Sequence, residues 1–333
     1  DQIANPQYDT DWVDAVTRRG FQQQHSVTMS GGTDNTKYLT SVSFFDQKGV
    51  LRNNGMKRFN ARINLDQKIN RIFKAGLNLN LNQNRFSNMP LGSGEFENAG
   101  VLTTAIQSEP IRPVRDGNGN YTTNLYADYL PNAASMLEIT DGSRLERILA
   151  NAFVEATPFD DLRVKAMLGF DRNFNKRNTY LPKTTLYGQK TNGGAFISSA
   201  EQADYLFELT ADYRKAIQKH SMNLLGGYSF QDFNWNGVEA GNQDFLIDGF
   251  LFNNLNAGAF QRPTVRSSAG KSQMASFFGR INYNYGDRYY LTATLRADAA
   301  SNLAKGHQWG YFPSVALAWN VDNESFFLPL RTV

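Results

Sequence analysis

"KAGLNLNLNQN", residues 74–84, sets Leu77, Leu79 and Leu81 in alternation with Asn78, Asn80 and Asn82. Successive side chains of an extended strand point to opposite faces, so one side of this segment is leucine and the other is amide. A helix would scatter the same residues around its circumference, and asparagine is a weak helix former. Two surroundings want such a strand. A soluble sandwich would bury the leucines and leave the amides to water. A barrel in a bilayer would turn the leucines to hydrocarbon and the amides to a wet or filled interior.

The same division recurs along the chain. Phe59, Ala61, Ile63 and Leu65 oppose Asn60, Arg62 and Asn64, and Tyr205, Phe207, Leu209 and Ala211 oppose Glu208, Thr210 and Asp212. Phe277, Gly279, Ile281 and Tyr283 oppose Arg280 and Asn282, with Phe278 the exception, and Leu291, Ala293 and Leu295 oppose Thr292, Thr294 and Arg296. About eleven strands are predicted in this way.

Connection lengths choose between the two surroundings. Short turns at 31–35, 70–73, 157–161, 217–220 and 285–288 alternate with long polar loops near 47–58, 85–144, 175–202, 231–272 and 299–311. In an antiparallel meander alternate connections share one end, so every short turn falls on one rim and every long loop on the other. Transmembrane barrels have that asymmetry, with short periplasmic turns and long extracellular loops. Aromatic residues fall near both ends of the strands, Tyr38, Phe159, Tyr213, Tyr283, Tyr285 and Tyr289 by the turns, and Phe44, Phe59, Phe86, Phe174, Tyr205, Phe230 and Phe277 by the loops. Two interfacial belts would place them so.

Composition agrees. The chain of 333 residues is 41% hydrophobic yet 13% aromatic, and its mean hydropathy is -0.48. That suits β-structure meeting two solvents better than one large globular core. No apolar run reaches the 18 residues or so of a spanning helix, and no signal peptide is read in the first residues, so a mature or truncated chain is expected. The absence of cysteine excludes disulfides and thiolate metal sites. A net charge of +3, spread along the chain, gives no footprint for nucleic acid.

Several stretches carry a family resemblance. "TDWVDAV" (10–16), "QHSVTMSGGTDNTKYLTSVSFFDQKGV" (24–50), "KRFNARINLD" (57–66), "YLTATLRAD" (290–298) and "WGYFPSVALAW" (309–319) resemble the barrel of SusC/RagA-like TonB-dependent outer-membrane transporters. The resemblance implies an all-β, antiparallel transmembrane barrel of 22 strands, of which this chain supplies about eleven. It places residues 1–23 in an extracellular loop segment and 24–333 in barrel strands, with no plug domain in this chain. It further implies a bacterial outer-membrane location, surrounding lipid, the remaining barrel and plug segments, a SusD-like surface lipoprotein, the TonB complex acting through a plug, and a glycan or peptide substrate. "RADAASNLAKG" (296–306) departs from the family pattern at a glycine and an arginine, which leaves that loop's role open. A siderophore or cobalamin receptor and a soluble β-rich binding module are the alternatives.

No catalytic constellation stands out. "AGKS" (269–272) lacks the upstream glycine of a phosphate loop, and His25, His220 and His307 lack metal-ligand spacing. Asp116, Asn118 and Asn120 are spaced like the first ligands of a calcium loop, but Tyr121 stands where its glycine belongs, and a hairpin turn is the plainer expectation. Neither enzyme activity nor a cofactor is expected. The candidate lumen-facing or ligand-binding residues are Arg62, Asn78, Asn80, Asn82, Glu208, Asp212, Arg280, Asn282, Arg296 and Trp235. Tyr187, Trp235, Phe245, Phe250 and Phe252 are the aromatic residues expected in long loops, there to stack on a ligand or to pack the loop.

Overall fold

A computed structural model gives the arrangement of residues 6–89, 100–124 and 127–327, the residues described below. Eleven strands form one sheet: β1 (Phe21–Gly32), β2 (Thr36–Lys48), β3 (Gly55–Lys68), β4 (Phe73–Ser87), β5 (Thr140–Phe159), β6 (Leu162–Leu181), β7 (Gly194–Ile217), β8 (His220–Gln243), β9 (Thr264–Tyr285), β10 (Tyr289–Ala300) and β11 (Trp309–Trp319). Each pairs antiparallel with the next, so the sheet is an uninterrupted meander from β1 to β11.

All five short turns occur where the sequence places them, with residues 33–35, 69–72, 160–161, 218–219 and 286–288 joining alternate strands at one rim. The last of these turns a corner through Gly286 and Asp287 at φ +60° and +56°, a conformation that glycine adopts without strain.

The opposite rim differs from the expectation. Its connections are residues 49–54, 88–139, 182–193, 244–263 and 301–308, four of them much shorter than the polar stretches suggest. The missing residues have joined the strands. β5 and β6 reach 20 residues, β7 and β8 24, and β9 22, about twice the length that crosses a bilayer. Above the apolar zone both faces are polar, so hydrophobic alternation vanishes while backbone pairing continues. Trp235, expected in a loop, consequently lies within β8 opposite Gln202.

Register fixes the faces. Leu77, Leu79 and Leu81 of β4 stand beside Leu65, Ile63 and Ala61 of β3 and Ala152, Ala150 and Ile148 of β5. Tyr205, Phe207, Leu209, Ala211 and Tyr213 continue this face on β7. From Tyr205 to Tyr213, at about 3.3 Å per residue and a tilt near 40°, the apolar zone is roughly 20 Å tall. It has no cover: Leu168 is 63% exposed and Leu317 80%. A soluble sandwich would bury this face under a second layer, and among the described residues no such layer exists.

Aromatic side chains border the zone on the same face. Tyr285, Tyr289 and Trp319 stack in sequence at the turn rim, with centroids 6.5 and 6.4 Å apart. Phe44 and Phe59 meet at 4.8 Å, and Tyr228, Phe277 and Trp309 form a second row, toward the loop rim. Two residues leave the expected belt. Phe86 pairs with Met56 and Ser143 on the opposite face, and Phe174 lies above the zone between Glu146 and Glu201.

Burial is found at the loop rim. Helix α1 (Trp12–Val16), capped by the Asp11 carboxylate accepting from the Asp14 N–H (2.9 Å), packs with α2 (Val101–Gln107). Trp12, Val16, Val101, Met136 and Ile139 form a small core there, and Tyr187 packs against it. Tyr180, Ala195 and Phe245 form a second, joined by Phe252.

Candidate functional site

The face opposite the leucines is the candidate site. The register of β2 to β10 places all ten candidate residues, including Trp235, on this one face. One hollow of about 890 Å³ runs across it, with lining residues from eight consecutive strands, β2 to β9, so the sheet curls with this face inward.

Four of the ten candidates meet in that hollow: Arg62, Asn80, Asn82 and Trp235. The other six do not. Asn78 lies in a neighbouring hollow of about 710 Å³ near the 33–35 turn. Asp212 is held by Arg214 (2.8 Å), Asn282 accepts from Thr292 Oγ1 (2.9 Å), and Arg296 donates to Asp298 and Ser276 (2.9 Å each) with its guanidinium over the Phe278 ring. Phe278, which breaks the alternation in sequence, faces inward and lies over Gly227, where a side chain would strike its ring. Glu208 stands between Met167 and Ser229, and Arg280 beside Leu225 and Thr294, on the same face.

The amides of the hollow form a relay. Asn84 Nδ2 donates to Asn82 Oδ1 (2.7 Å), Asn82 donates to Asn60, and Asn60 donates to Ser43 Oγ (3.3 Å). Next to it Asn64, with its amide oriented to satisfy both neighbours, accepts from Arg62 and donates to Asn78 Oδ1 (3.2 Å). An amide has two donor hydrogens and two acceptor lone pairs, so each member of the relay keeps capacity for a guest. The Asn80 side chain has no hydrogen-bond partner among the described residues, although its backbone is paired in the sheet.

Several lining residues escape sequence reading. Arg147 holds Asp171 through two parallel bonds (2.9 and 2.6 Å), and Asn173, Asn175 and Gln202 extend the amide lining. On β5 the inward set is Leu145, Arg147, Leu149 and Asn151, so leucines interrupt the polar stripe and hide it. The signal was present only in the pairing of Arg147 with Asn82. Trp235 lies over Gly270, where a Cβ would strike the indole, and it remains half exposed to the hollow.

The expected near misses resolve as structure. Asp116 Oδ1 accepts the backbone N–H groups of Asn118 (2.9 Å) and Asn120 (2.8 Å), which holds its carboxyl below the ordinary range, chiefly through Asn120. It closes a tight hairpin with Gly119 at φ +85°. "AGKS" lies inside β9, where Lys271 pairs with Asp232 (3.0 Å). His220 hydrogen-bonds the Tyr283 hydroxyl (2.6 Å) among the turn-rim aromatics.

A second polar centre ties the loops together. Glu138 accepts from Arg115 (2.9 Å), Tyr121 (2.6 Å) and Thr184 (2.5 Å). Partial burial works against its charge, but the bonds from Thr184, Tyr121 and Arg115 prevail and hold it below the usual carboxylate range. Burial, then the bond to Glu138, pushes Tyr121 up to about 12.

The site is therefore an amide-rich, half-open surface with one indole and scattered charges, some paired, as Arg147 with Asp171, and some bonded only to amides, as Arg62 to Asn64. It can hydrogen-bond hydroxyl or peptide groups.

No protein-family model matches the chain. Similar curated proteins do exist. TonB-dependent receptor P3 of Formosa agariphila is 30% identical over 329 residues, 97% of this chain and 33% of that receptor. TonB-dependent receptor SusC of Bacteroides thetaiotaomicron is 26% identical over 342 residues, 95% of this chain and 33% of that protein. A solved structure of the RagAB peptide transporter shares the fold, with a TM-score of 0.79 at 23% identity, covering 97% of this chain and 36% of the other. Along almost its whole length the chain is thus related to the SusC/RagA-like TonB-dependent receptors, and it spans about a third of the length of the curated relatives it matches.

Proposed function

We propose that this chain forms wall and loops of a bacterial outer-membrane importer for large nutrients, glycans or peptides. The observation that carries the reading is the two-faced sheet, apolar and uncovered outside, amide-lined and hollow inside, in a chain related to TonB-dependent receptors. A bilayer solvates the first face, and a water-filled or plugged lumen satisfies the second.

In this reading the eleven strands, which begin at Phe21 rather than at the expected residue 24 and end at Trp319, are half of a 22-stranded barrel, and further strands close the edges at β1 and β11, because hydrocarbon leaves unpaired backbone groups unsatisfied. Residues 1–23 belong to the extracellular side. A SusD-like lipoprotein covers that side, and the TonB complex displaces a plug from the lumen. Arg62, Asn78, Asn80, Asn82, Glu208, Asp212, Arg280, Asn282, Arg296 and Trp235 face lumen, plug or passing substrate. Those in the hollow, Arg62, Asn80, Asn82 and Trp235, are the ones best placed to touch it.

Deleting the gene tests the reading. Growth on one polysaccharide or peptide mixture is expected to stop while growth on its monomers continues, and unchanged uptake of every polymer offered would count against it. Which mixture fails decides between glycan and peptide.

A further inference from the structure

The outer face carries a row of like charges that neither the apolar zone nor the lumen explains. Lys57 pairs across to Arg85, Arg85 to Arg144, and Arg144 to Lys176, on the four adjacent strands β3 to β6. By alternation all four share the face of Leu77 and Leu81. Adjacent strands lie about 4.8 Å apart, so the row packs four cations into about 15 Å.

Like charges opposite one another destabilise a sheet, and here the protein supplies little relief. Glu146 pairs with Arg144 (3.3 Å), while Arg85 turns its Nε to the neutral Gln83 Oε1 (3.0 Å). Lys57 and Lys176 have no ion pair among the described residues, although Asp46 stands across from Lys57. Two other outward cations are matched, Arg172 by Glu201 (2.5 Å) and Lys271 by Asp232 (3.0 Å), while Lys48 of β2, opposite Gly55, stands alone without a cationic neighbour across the ladder. Arg85, Arg144 and Lys176 also line a hollow of about 320 Å³ beside Gly142 and Phe252.

Height points to the occupant. Lys57 follows Phe59 as the next outward residue, and Arg85 and Arg144 stand two outward positions beyond Leu81 and Ile148. At about 3.3 Å per residue and a tilt near 40°, these three rise roughly 5 to 10 Å above the apolar zone, at the level of lipid headgroups. Lys176 lies one step higher, and its long side chain can reach down.

We propose that this row binds the phosphate groups of an anionic lipid of the outer leaflet, seated against β3 to β6 with its acyl chains on the leucine face. The proposal rests on the membrane reading above. Each cation near a charged lipid surface contributes roughly a factor of five in affinity.

The test uses the protein extracted from outer membranes in detergent, titrated with diphosphorylated lipid A, with phosphatidylcholine, or with inorganic phosphate, and bound lipid is counted by native mass spectrometry. Lipid A is expected to bind, phosphatidylcholine far less, and millimolar inorganic phosphate is expected not to displace it. The triple variant Lys57→Gln, Arg85→Gln, Lys176→Gln should bind lipid A about a hundredfold more weakly. The charge-keeping variant Lys57→Arg, Arg85→Lys, Lys176→Arg should bind like the parent. Equal binding by the glutamine variant, loss in the charge-keeping variant, or displacement by inorganic phosphate would each overturn the proposal. Protein that stays folded and monodisperse without detergent would instead sink the membrane reading itself.

Discussion

The two faces of β4 share one backbone and one set of pairing partners, yet they obey opposite rules. Outside, Leu77 and Leu81 are more than one third exposed and stand beside residues of their own sheet, with no core above them among the described residues. Inside, Asn82 and Asn84 spend their hydrogen bonds on each other and on Asn60. In a water-soluble protein the apolar side is the buried side. Here, among the described residues, the buried hydrophobic side chains gather at the loop rim, around Trp12, Met136 and Phe245, and the apolar side of the sheet is left uncovered.

Charge placed on the two faces should break the symmetry most strongly. Leu168→Arg, in the middle of the apolar zone, is expected to cost about 2–4 kcal/mol in unfolding from lipid, and Leu79→Arg a similar amount. Asn80→Arg, one residue away on the lumen side, should cost less than about 0.5 kcal/mol. Equal costs on both faces would remove the distinction.

At the loop rim, Glu138→Ala withdraws one carboxylate from three partners. Local opening of Val101–Gln107 should become easier by about 1–2 kcal/mol, read by hydrogen exchange, with the sheet unaffected. Acid should act in the same direction. The folded state holds Glu138 below its ordinary value of 4.5, so its contribution is full above pH 4.5 and fades as pH falls through the lower folded value. Protection factors in this helix, corrected for the intrinsic exchange rate, that are unchanged between pH 6 and pH 3.5 would contradict that role.

Smaller effects sharpen the lumen side. Asp171→Asn weakens a half-exposed pair with Arg147 and should cost no more than about 1 kcal/mol, measured by denaturant unfolding. Gly270→Ala should leave stability nearly unchanged while lifting the Trp235 indole, shifting its fluorescence. An unchanged spectrum would mean that the indole does not rest on that glycine.

The two rims also show what a sequence can reveal. Each turn-rim connection is bounded by strands with one apolar and one polar face, so alternation runs up to the turn and marks it. At the loop rim the strands β5 to β9 are mostly polar on both faces. Residues such as Glu201, Gln202, Asn234 and Trp235 then read as polar loop although their backbones remain paired. The polar face was legible wherever one strand was uniformly polar on it, as at Asn78, Asn80 and Asn82. It was hidden on β5, where Leu145 and Leu149 flank Arg147. The core joining Trp12 to Met136 depends on contacts between residues far apart in sequence, which no local pattern encodes.

The chain contains no cysteine, which permits the most direct measurement. Single cysteines placed in turn at positions 77 to 82 of the protein in bilayers would be tested with a membrane-impermeant maleimide and with a lipid-borne quencher. Labelling from water at positions 78, 80 and 82, with quenching from lipid at 77, 79 and 81, is the predicted result. Uniform labelling along the strand, or alternation in the opposite phase, would contradict the assignment of leucines to hydrocarbon and amides to the lumen.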